Sequence, residues 1–289
     1  MNEFKVSEIF YSAQGEGRFV GVPSVFFRTF GCNFKCPSFG LPVGEKTTEP
    51  DDIGKMVHLY PTFNDLPLAN TGCDSYASWH PAFKHLSPNY SVEQAIDEML
   101  DLTPNNHWEQ ANGNDVHLVI TGGEPLLGWQ QLYPALLSNS RMSDLANLTF
   151  ETNGTQKLHD DCHTYLFEEW TRFGRDRDYL TFSVSPKLTS SGEKWSEAIK
   201  PDVVVEYQTL GYTYLKFVID NIMDFKEVDQ AVSEYRAAGF GGQVYVMPVG
   251  GTDKAYFSNT RHIADEALAR GYRYSPRLHV DIWSNGWGK

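Results

Sequence analysis

The stretch Val116–Pro125 reads VHLVITGGEP, a run of mostly apolar residues that ends in two glycines. A short apolar run closed by a turn is typical of a strand buried on both faces of a parallel sheet. The same order of strand, turn and helix recurs along the rest of the chain. This alternation predicts parallel βα units and therefore an α/β fold.

Working outward from this stretch, the pattern predicts further strands and the helices between them. The predicted strands are 23–30, 116–121, 148–154, 179–187, 212–219, 243–248 and 278–283. The predicted helices are 92–102, opened by a capping box of Ser91 and Gln94, then 128–139, 161–173, 224–238 and 258–270. Polar residues cluster where the predicted strands end, and parallel folds form their sites at that edge of the sheet.

Composition narrows the class of protein. The chain has 289 residues and a net charge of −13, which argues against direct binding to a nucleic-acid backbone. It contains no apolar run long enough for a membrane span, and its first residues lack the pattern of a signal peptide. We therefore expect a cytoplasmic protein that does not contact membranes.

Four cysteines are present, at positions 32, 36, 73 and 162. A structural zinc site would need four ligands, usually as two close pairs. Three thiolates on a cubane iron–sulfur cluster would instead leave one iron open for chemistry. The sequence favours Cys32, Cys36 and Cys73 for such a site. Cys162, within His159–His163, is the competing third ligand, although this acidic segment is more typical of an exposed helix start.

The chain resembles the radical S-adenosylmethionine (SAM) superfamily and, within it, the family of 7-carboxy-7-deazaguanine synthases. The resemblance spans nearly the whole chain and depends on the order and spacing of several short motifs. They are Gln14-Gly15-Glu16-Gly17, the strand with Arg28, Gly31-Cys32, Cys73-Asp74-Ser75, Thr121-Gly122-Gly123-Glu124-Pro125, Glu151-Thr152-Asn153-Gly154-Thr155, Ser185-Pro186-Lys187 and 279–285. It implies a single domain, 1–289, that folds as a partial parallel (β/α) barrel.

One departure from the superfamily concerns its CxxxCxxC motif, because Phe39 occupies the position of the third cysteine. The residues from Cys73 onward resemble those that the family has from its third cysteine onward. We interpret 37–72 as an inserted loop between the second and third cluster ligands, which we expect to pack over the edge of the cluster. Gly72 also replaces an aromatic residue that often precedes the third cysteine.

The resemblance implies a 4Fe-4S cluster and SAM, which together generate a 5′-deoxyadenosyl radical. The radical would convert 6-carboxy-5,6,7,8-tetrahydropterin to 7-carboxy-7-deazaguanine with loss of ammonia, in a queuosine-type pathway, and SAM would be regenerated. The implied cluster ligands are Cys32, Cys36 and Cys73, and the implied cofactor-binding residues are Gly122, Gly123, Glu124, Glu151, Thr152, Ser185 and Lys187. The implied substrate-binding residues are Gln14, Glu16, Arg28, Thr121 and His279.

Further partners are implied by the same resemblance. It implies a magnesium ion held by Ser75, a flavodoxin- or ferredoxin-type electron donor and a homodimer. Two alternatives stay open: another radical SAM enzyme such as a glycyl-radical activase, and a non-catalytic descendant that serves as a binding protein. The short chain, without additional cysteine clusters, favours the synthase over the activase.

Overall fold

The computed structural model of the chain describes residues 3–170, 175–252, 256–257 and 260–289. Within these ranges one sheet organises the fold. Its strands are β1 Phe4–Ala13, β2 Pro23–Thr29, β3 Asn89–Tyr90, β4 His117–Gly122, β5 Leu148–Thr152, β6 Leu180–Val184, β7 Tyr212–Ile219, β8 Val244–Pro248 and β9 Arg273–Tyr274. They lie in the order β3-β1-β2-β4-β5-β6-β7-β8-β9.

From β2 to β9 every neighbouring pair of strands is parallel, whereas β1 pairs antiparallel with both β2 and β3. The two edge strands do not pair with each other in the described part of the chain, so the sheet is curved but open. This arrangement agrees with the predicted partial barrel. The carboxyl ends of β2 and β4–β8 therefore meet at one rim, as expected for parallel strands.

The described part of the chain also contains helices. They are α1 Glu49–Lys55, α2 Val92–Leu102, α3 Tyr133–Leu137, α4 Asp160–Thr164, α5 Trp195–Ala198, α6 Pro201–Leu210, α7 Phe225–Ala237, α8 Thr260–Ala269 and α9 Leu278–Trp283. The capping box predicted for α2 is present, with Ser91 and Gln94 each bonding the other's backbone N–H. Apolar residues of the strands and of α2–α8 form one continuous core.

Several predicted helices differ in length from those observed. The helix predicted over 128–139 is shorter, because a 3₁₀ turn over Gln130–Leu132 precedes α3. The helix predicted over 161–173 begins as α4 and continues as a π-helix over Tyr165–Glu169, and residues 171–173 lie outside the described residues. Residues 258–259 of the helix predicted over 258–270 also lie outside them. The sequence pattern did not predict α5 or α6.

The strand predicted over 278–283 is wrong, because these residues form helix α9. The place beside β8 is taken by the two-residue strand β9, which the sequence did not predict. Of the six residues only Val280 is buried, so the apolar alternation does not correspond to a buried sheet face. The backbone N–H of Leu278 instead bonds the carbonyl of Gly15 at 3.0 Å, which ties α9 to the turn after β1.

The insertion 37–72 was predicted as a loop, and this prediction is wrong in part. It contains helix α1, whose first turn has Pro50 and the acidic residues Glu49, Asp51 and Asp52. Proline at the start of a helix and acidic residues in its first turn favour helix formation, so these residues start a helix instead of interrupting one. Apolar residues of the insertion also form a small second core with the segment after Cys73, at Ile53, Phe63, Leu66, Ala69, Tyr76, Ala77 and Phe83.

None of the helices among the described residues is both long enough and apolar enough to cross a lipid bilayer.

Candidate active site

A large pocket opens at the rim formed by the carboxyl ends of the strands. It contains about 1500 Å³ of space free of protein atoms, part of it open to solvent. Fifteen of the sixteen predicted site residues line this pocket, and Glu124 is the exception. Residues from both ends of the chain are therefore brought together here, as the position of a site in a parallel fold requires.

Three of the four cysteines face this pocket. Cys32, Cys36 and Cys73 lie in one apolar cluster with Phe34, Phe39 and Ala198. All three thiols are free, and burial raises the pKa of Cys32 to about 12 and that of Cys73 to about 11. Cys73 is close enough that its charge would raise the pKa of both other thiols. Buried thiols of this kind stay protonated unless a cation such as iron compensates their charge.

The ends of the insertion meet, and this returns Cys73 to the other two cysteines. The backbone N–H of Gly72 donates to the carbonyl of Phe39 at 2.8 Å, and the Thr47 and Thr71 hydroxyls bond each other at 2.8 Å. Gly72 has a φ of +77°, and a Cβ there would lie 2.5 Å from Thr47. A glycine at 72 is therefore required by this closure, which explains the absence of the aromatic residue.

Cys162 does not take part in the pocket. It lies in helix α4, so the predicted helix start is confirmed. The prediction that this segment is exposed is wrong for Cys162, whose side chain is fully buried in the main core. His80 and His85, two further histidines, do not line the pocket either. His80 bonds Asp51 at 3.1 Å and caps a 3₁₀ helix, which is a structural role.

The glycine turn after β4 packs directly against the first cysteine. A Cβ on Gly123 would lie 2.5 Å from the Gly31 carbonyl oxygen and 2.6 Å from the Cβ of Cys32. The N–H of Glu124 donates to the same Gly31 carbonyl at 2.7 Å. Gly122 and Gly123 therefore allow β4 and the segment with Cys32 to approach as closely as they do.

Glu124 lies behind the pocket wall and is fully buried. Its carboxylate accepts hydrogen bonds from the Asn153 N–H at 2.6 Å, the Thr152 hydroxyl at 2.8 Å and the Leu126 N–H at 3.0 Å. Burial raises its pKa to about 7, although these hydrogen bonds favour the charged form. The side chain fastens the turn after β4 to the end of β5 and so positions pocket residues without lining the pocket.

A chain of charged side chains crosses the pocket at Glu16. This carboxylate bonds the ammonium group of Lys216 on β7, and its Oε1 lies 3.3 Å from Nε of Arg277. Arg277 also donates to Asp74, the residue after Cys73, at 2.5 Å. Burial alone would raise the pKa of Glu16, but the positive charges of Lys216 and Arg277 outweigh it and hold this pKa well below its usual range. Glu16 is therefore an anion at neutral pH.

The turn with Glu16 contacts the segment after β9 and helix α9. The N–H of Gly17 donates to the Ser275 hydroxyl at 2.8 Å, and a Cβ on Gly15 would lie 2.1 Å from Nδ1 of His279. Burial and the neighbouring charge of Arg277 lower the pKa of His279 to about 4. His279 is thus neutral at physiological pH and can both donate and accept a hydrogen bond.

Two smaller groups of polar residues complete the pocket wall. Glu151 accepts from Nε2 of Gln14 at 3.1 Å and from the Thr121 hydroxyl at 3.3 Å, and Lys187 donates to Ser185 at 3.0 Å. On the other side Arg28, one of the implied substrate-binding residues, pairs with Glu8 at 3.0 Å. One of its terminal nitrogens lies 3.4 Å from the Ser75 hydroxyl.

Sequence reasoning missed several charged residues of the pocket, namely Glu8, Asp74, Lys216 and Arg277. Lys216 could have been suspected, because it interrupts the apolar run of β7 and is only 4% exposed. A charge inside a buried strand needs a partner, and here the partner is 200 positions away. No comparable signal marks Arg277 or Glu8.

The metal-ligating side chains around the pocket can be compared with what an iron–sulfur cluster needs. In the described ranges no three His, Cys, Asp or Glu side chains converge on a point where one metal ion could bind. A cubane cluster has different needs, because each thiolate binds its own iron and the sulfurs surround a volume. Three buried thiols around an open pocket, with the Phe34 N–H donating to Sγ of Cys32 at 3.4 Å, fit that need.

Comparisons with known proteins identify the family of the chain. No protein-family model matches the chain. The chain is 31% identical to the 7-carboxy-7-deazaguanine synthase of Halobacterium salinarum, over 97% of this chain and 90% of that protein. It is 28% identical to the enzyme of the same name from Pyrobaculum aerophilum, over 99% and 97% of the two chains. The crystal structure of QueE from Escherichia coli shares the fold, with a TM-score of 0.54 at 19% identity, and covers 96% of this chain and 95% of that one. The chain belongs to the 7-carboxy-7-deazaguanine synthase family.

Proposed function

We propose that this chain is a 7-carboxy-7-deazaguanine synthase that converts 6-carboxy-5,6,7,8-tetrahydropterin to 7-carboxy-7-deazaguanine with release of ammonia. The observation that carries the proposal is that three free thiols and a buried set of ion pairs line one pocket in a chain of this family.

Cys32, Cys36 and Cys73 would hold a 4Fe-4S cluster. When bound, the cluster and SAM would supply hydrogen-abstracting radical chemistry on one-electron reduction. Gly122 and Gly123 leave backbone exposed beside the first thiol, where the amino group of SAM could approach. Thr152, Ser185 and Lys187 follow strands β5 and β6 at the same rim, and they are our candidates for contacts to SAM together with Glu151. Glu124 contributes by holding the end of β5.

The substrate would bind among the charged residues on the side of β1. Arg28 is the cation best placed to grip the substrate carboxylate, because a guanidinium can bind a carboxylate through two hydrogen bonds. The anionic Glu16 would accept from the guanidine-like nitrogens of the pterin. Gln14, Thr121 and His279 line the pocket near these two and supply neutral donors and acceptors.

Magnesium and a reductant complete the proposal. The Ser75 hydroxyl lies 3.3 Å from Oδ1 of Asp74, so two oxygens of the kind that Mg²⁺ prefers are adjacent. Lys35 and Lys194, which flank the segment with Cys36, are exposed in an otherwise acidic chain. An acidic electron carrier of the flavodoxin or ferredoxin type would be attracted to these positive charges. A homodimer remains a prediction.

The decisive experiment is turnover. Protein reconstituted without oxygen is incubated with the carboxytetrahydropterin, SAM, Mg²⁺ and a reductant, and the product is identified by mass. We expect the deazapurine and no net consumption of SAM. An intact cluster without this product would favour another radical SAM reaction, such as that of a glycyl-radical activase. Failure to assemble any cluster would favour a non-catalytic descendant.

A further inference from the structure

The segment that bears Cys36 has an uncommon backbone. Cys36 has a φ of +46°, in the left-handed region that residues with a Cβ rarely adopt. A conformation of this kind is strained and persists only where the surroundings hold it. Something next to this segment must therefore stabilise it.

The stabilising group comes from a distant part of the chain. Residues 188–198, which we call the brace, follow the end of β6 and pack against 35–38. Oε1 of Glu193 accepts hydrogen bonds from the backbone N–H groups of Lys35 at 2.9 Å and Cys36 at 2.8 Å. Hydrogen bonds to a charged acceptor are stronger than those between neutral groups, so this pair stabilises the backbone at Lys35 and Cys36.

The brace itself is fixed from both sides. The N–H of Ser38 donates to the Ser191 carbonyl at 3.1 Å, and the fully buried Ser191 hydroxyl accepts from the N–H of Glu193 at 3.2 Å. Gly192 has a φ of +86°, and a Cβ there would lie 2.6 Å from the Ser38 hydroxyl. On the outer side Glu227 of α7 accepts the N–H of Thr189 at 2.8 Å. Glu193 is thus held in place independently of any ligand.

We propose that Glu193 is a positioning residue whose carboxylate holds Lys35 and Cys36 in the ligand-bearing conformation before any cluster is bound. The proposal deepens the proposed function and rests on it, because it takes Cys36 as a cluster ligand. A second consequence arises from charge. Since reduction adds an electron to the cluster, a nearby carboxylate disfavours the reduced form and lowers the reduction potential.

The first test uses the apoprotein and amide hydrogen exchange at Lys35 and Cys36. We expect exchange at both amides to be about tenfold faster or more in Glu193→Ala than in the native protein, because both hydrogen bonds are lost. Glu193→Gln should restore slow exchange, since its carbonyl oxygen can still accept from both N–H groups. Glu197→Ala is the matched control: it removes the same charge from the brace, but among the described residues Glu197 pairs only with the exposed Lys194.

The second test uses the reconstituted protein. We expect the cluster of Glu193→Ala to be lost to a chelator about tenfold faster than that of Glu197→Ala. Glu193→Gln should keep the cluster but shift its reduction potential to a more positive value. Equal amide exchange in Glu193→Ala and Glu197→Ala would overturn the proposal. A Cys36→Ala variant that keeps the full cluster would instead overturn the assigned ligands, and the exchange result on the apoprotein would still stand.

Discussion

Arg277 offers the sharpest test of the charged chain that joins the substrate side of the pocket to the cysteine side. Its side chain is 7% exposed, and it bonds Asp74 at 2.5 Å, Glu16 at 3.3 Å and the Gly250 carbonyl. Arg277→Met keeps most of the side-chain volume and removes the charge. Removing one partner of a buried ion pair commonly costs about 3–5 kcal/mol, because the other charge is left uncompensated.

The structure places the expected cost in the lower part of that range. The Asp74 side chain is 34% exposed and can be partly solvated, and Glu16 keeps its contact with Lys216. We therefore expect Arg277→Met to lower the free energy of unfolding of the apoprotein by about 3 kcal/mol. The measurement is urea denaturation at pH 7 with Asp74→Asn and the double variant, which completes a cycle. The coupling energy between positions 74 and 277 should be about 1–2 kcal/mol.

A matched control is available in the exposed pair of Arg261 and Asp265. These side chains are 91% and 72% exposed, and the two charged atoms lie 3.8 Å apart. Arg261→Met should change the free energy of unfolding by no more than about 0.5 kcal/mol. If Arg277→Met were equally mild, or the coupling energy were zero, the chain of ion pairs would not hold the two sides of the pocket together.

Three other substitutions test separate parts of the account. Burial lowers the pKa of His117 to about 3, so a proton binds this histidine in the unfolded chain, near pH 6.5, well before it binds the folded one. The neutral His117 therefore contributes stability above pH 6.5, and this contribution is lost as the pH falls. Between pH 7 and pH 5 the free energy of unfolding of the native protein, measured by urea denaturation, should fall by about 2 kcal/mol more than that of His117→Gln. Equal losses in the two proteins would contradict this. Glu124→Gln should lower the free energy of unfolding by about 1–3 kcal/mol, because its amide group must face an N–H donor such as that of Asn153; an unchanged urea midpoint would show that the carboxylate is not needed. Arg28→Lys should raise KM for the pterin about tenfold or more with iron content unchanged, because an ammonium cannot grip a carboxylate in two places; an unchanged KM would remove Arg28 from the substrate site.

Local patterns predicted much of this fold. Apolar runs such as Val116–Thr121 can be recognised as strands because a buried parallel strand needs apolar residues on both faces. The alternation in Leu278–Trp283 misled for the opposite reason, since six residues cannot show whether a neighbouring strand is available. The helix within the insertion was missed because Pro50 can mark either a loop or the first turn of a helix.

Site residues within short sequence motifs were predictable, whereas ion pairs between residues far apart in the sequence were not. The return of Cys73 to the pocket could be inferred from the residues that come after it. Glu16 meets Lys216 across 200 positions and Asp74 meets Arg277 across 203. Pairings of that separation are decided by the curvature of the sheet and by the turn after β1, which no local pattern encodes.

Cys73 as the third cluster ligand is the assignment on which the proposed chemistry depends most. The most direct measurement is iron and sulfide content, with electron paramagnetic resonance of the reduced protein, after reconstitution of Cys73→Ala and Cys162→Ala without oxygen. We expect Cys162→Ala to bind about four irons per chain, as for one cubane cluster, and Cys73→Ala to lose the cluster signal. A full cluster in Cys73→Ala together with its loss in Cys162→Ala would contradict the account.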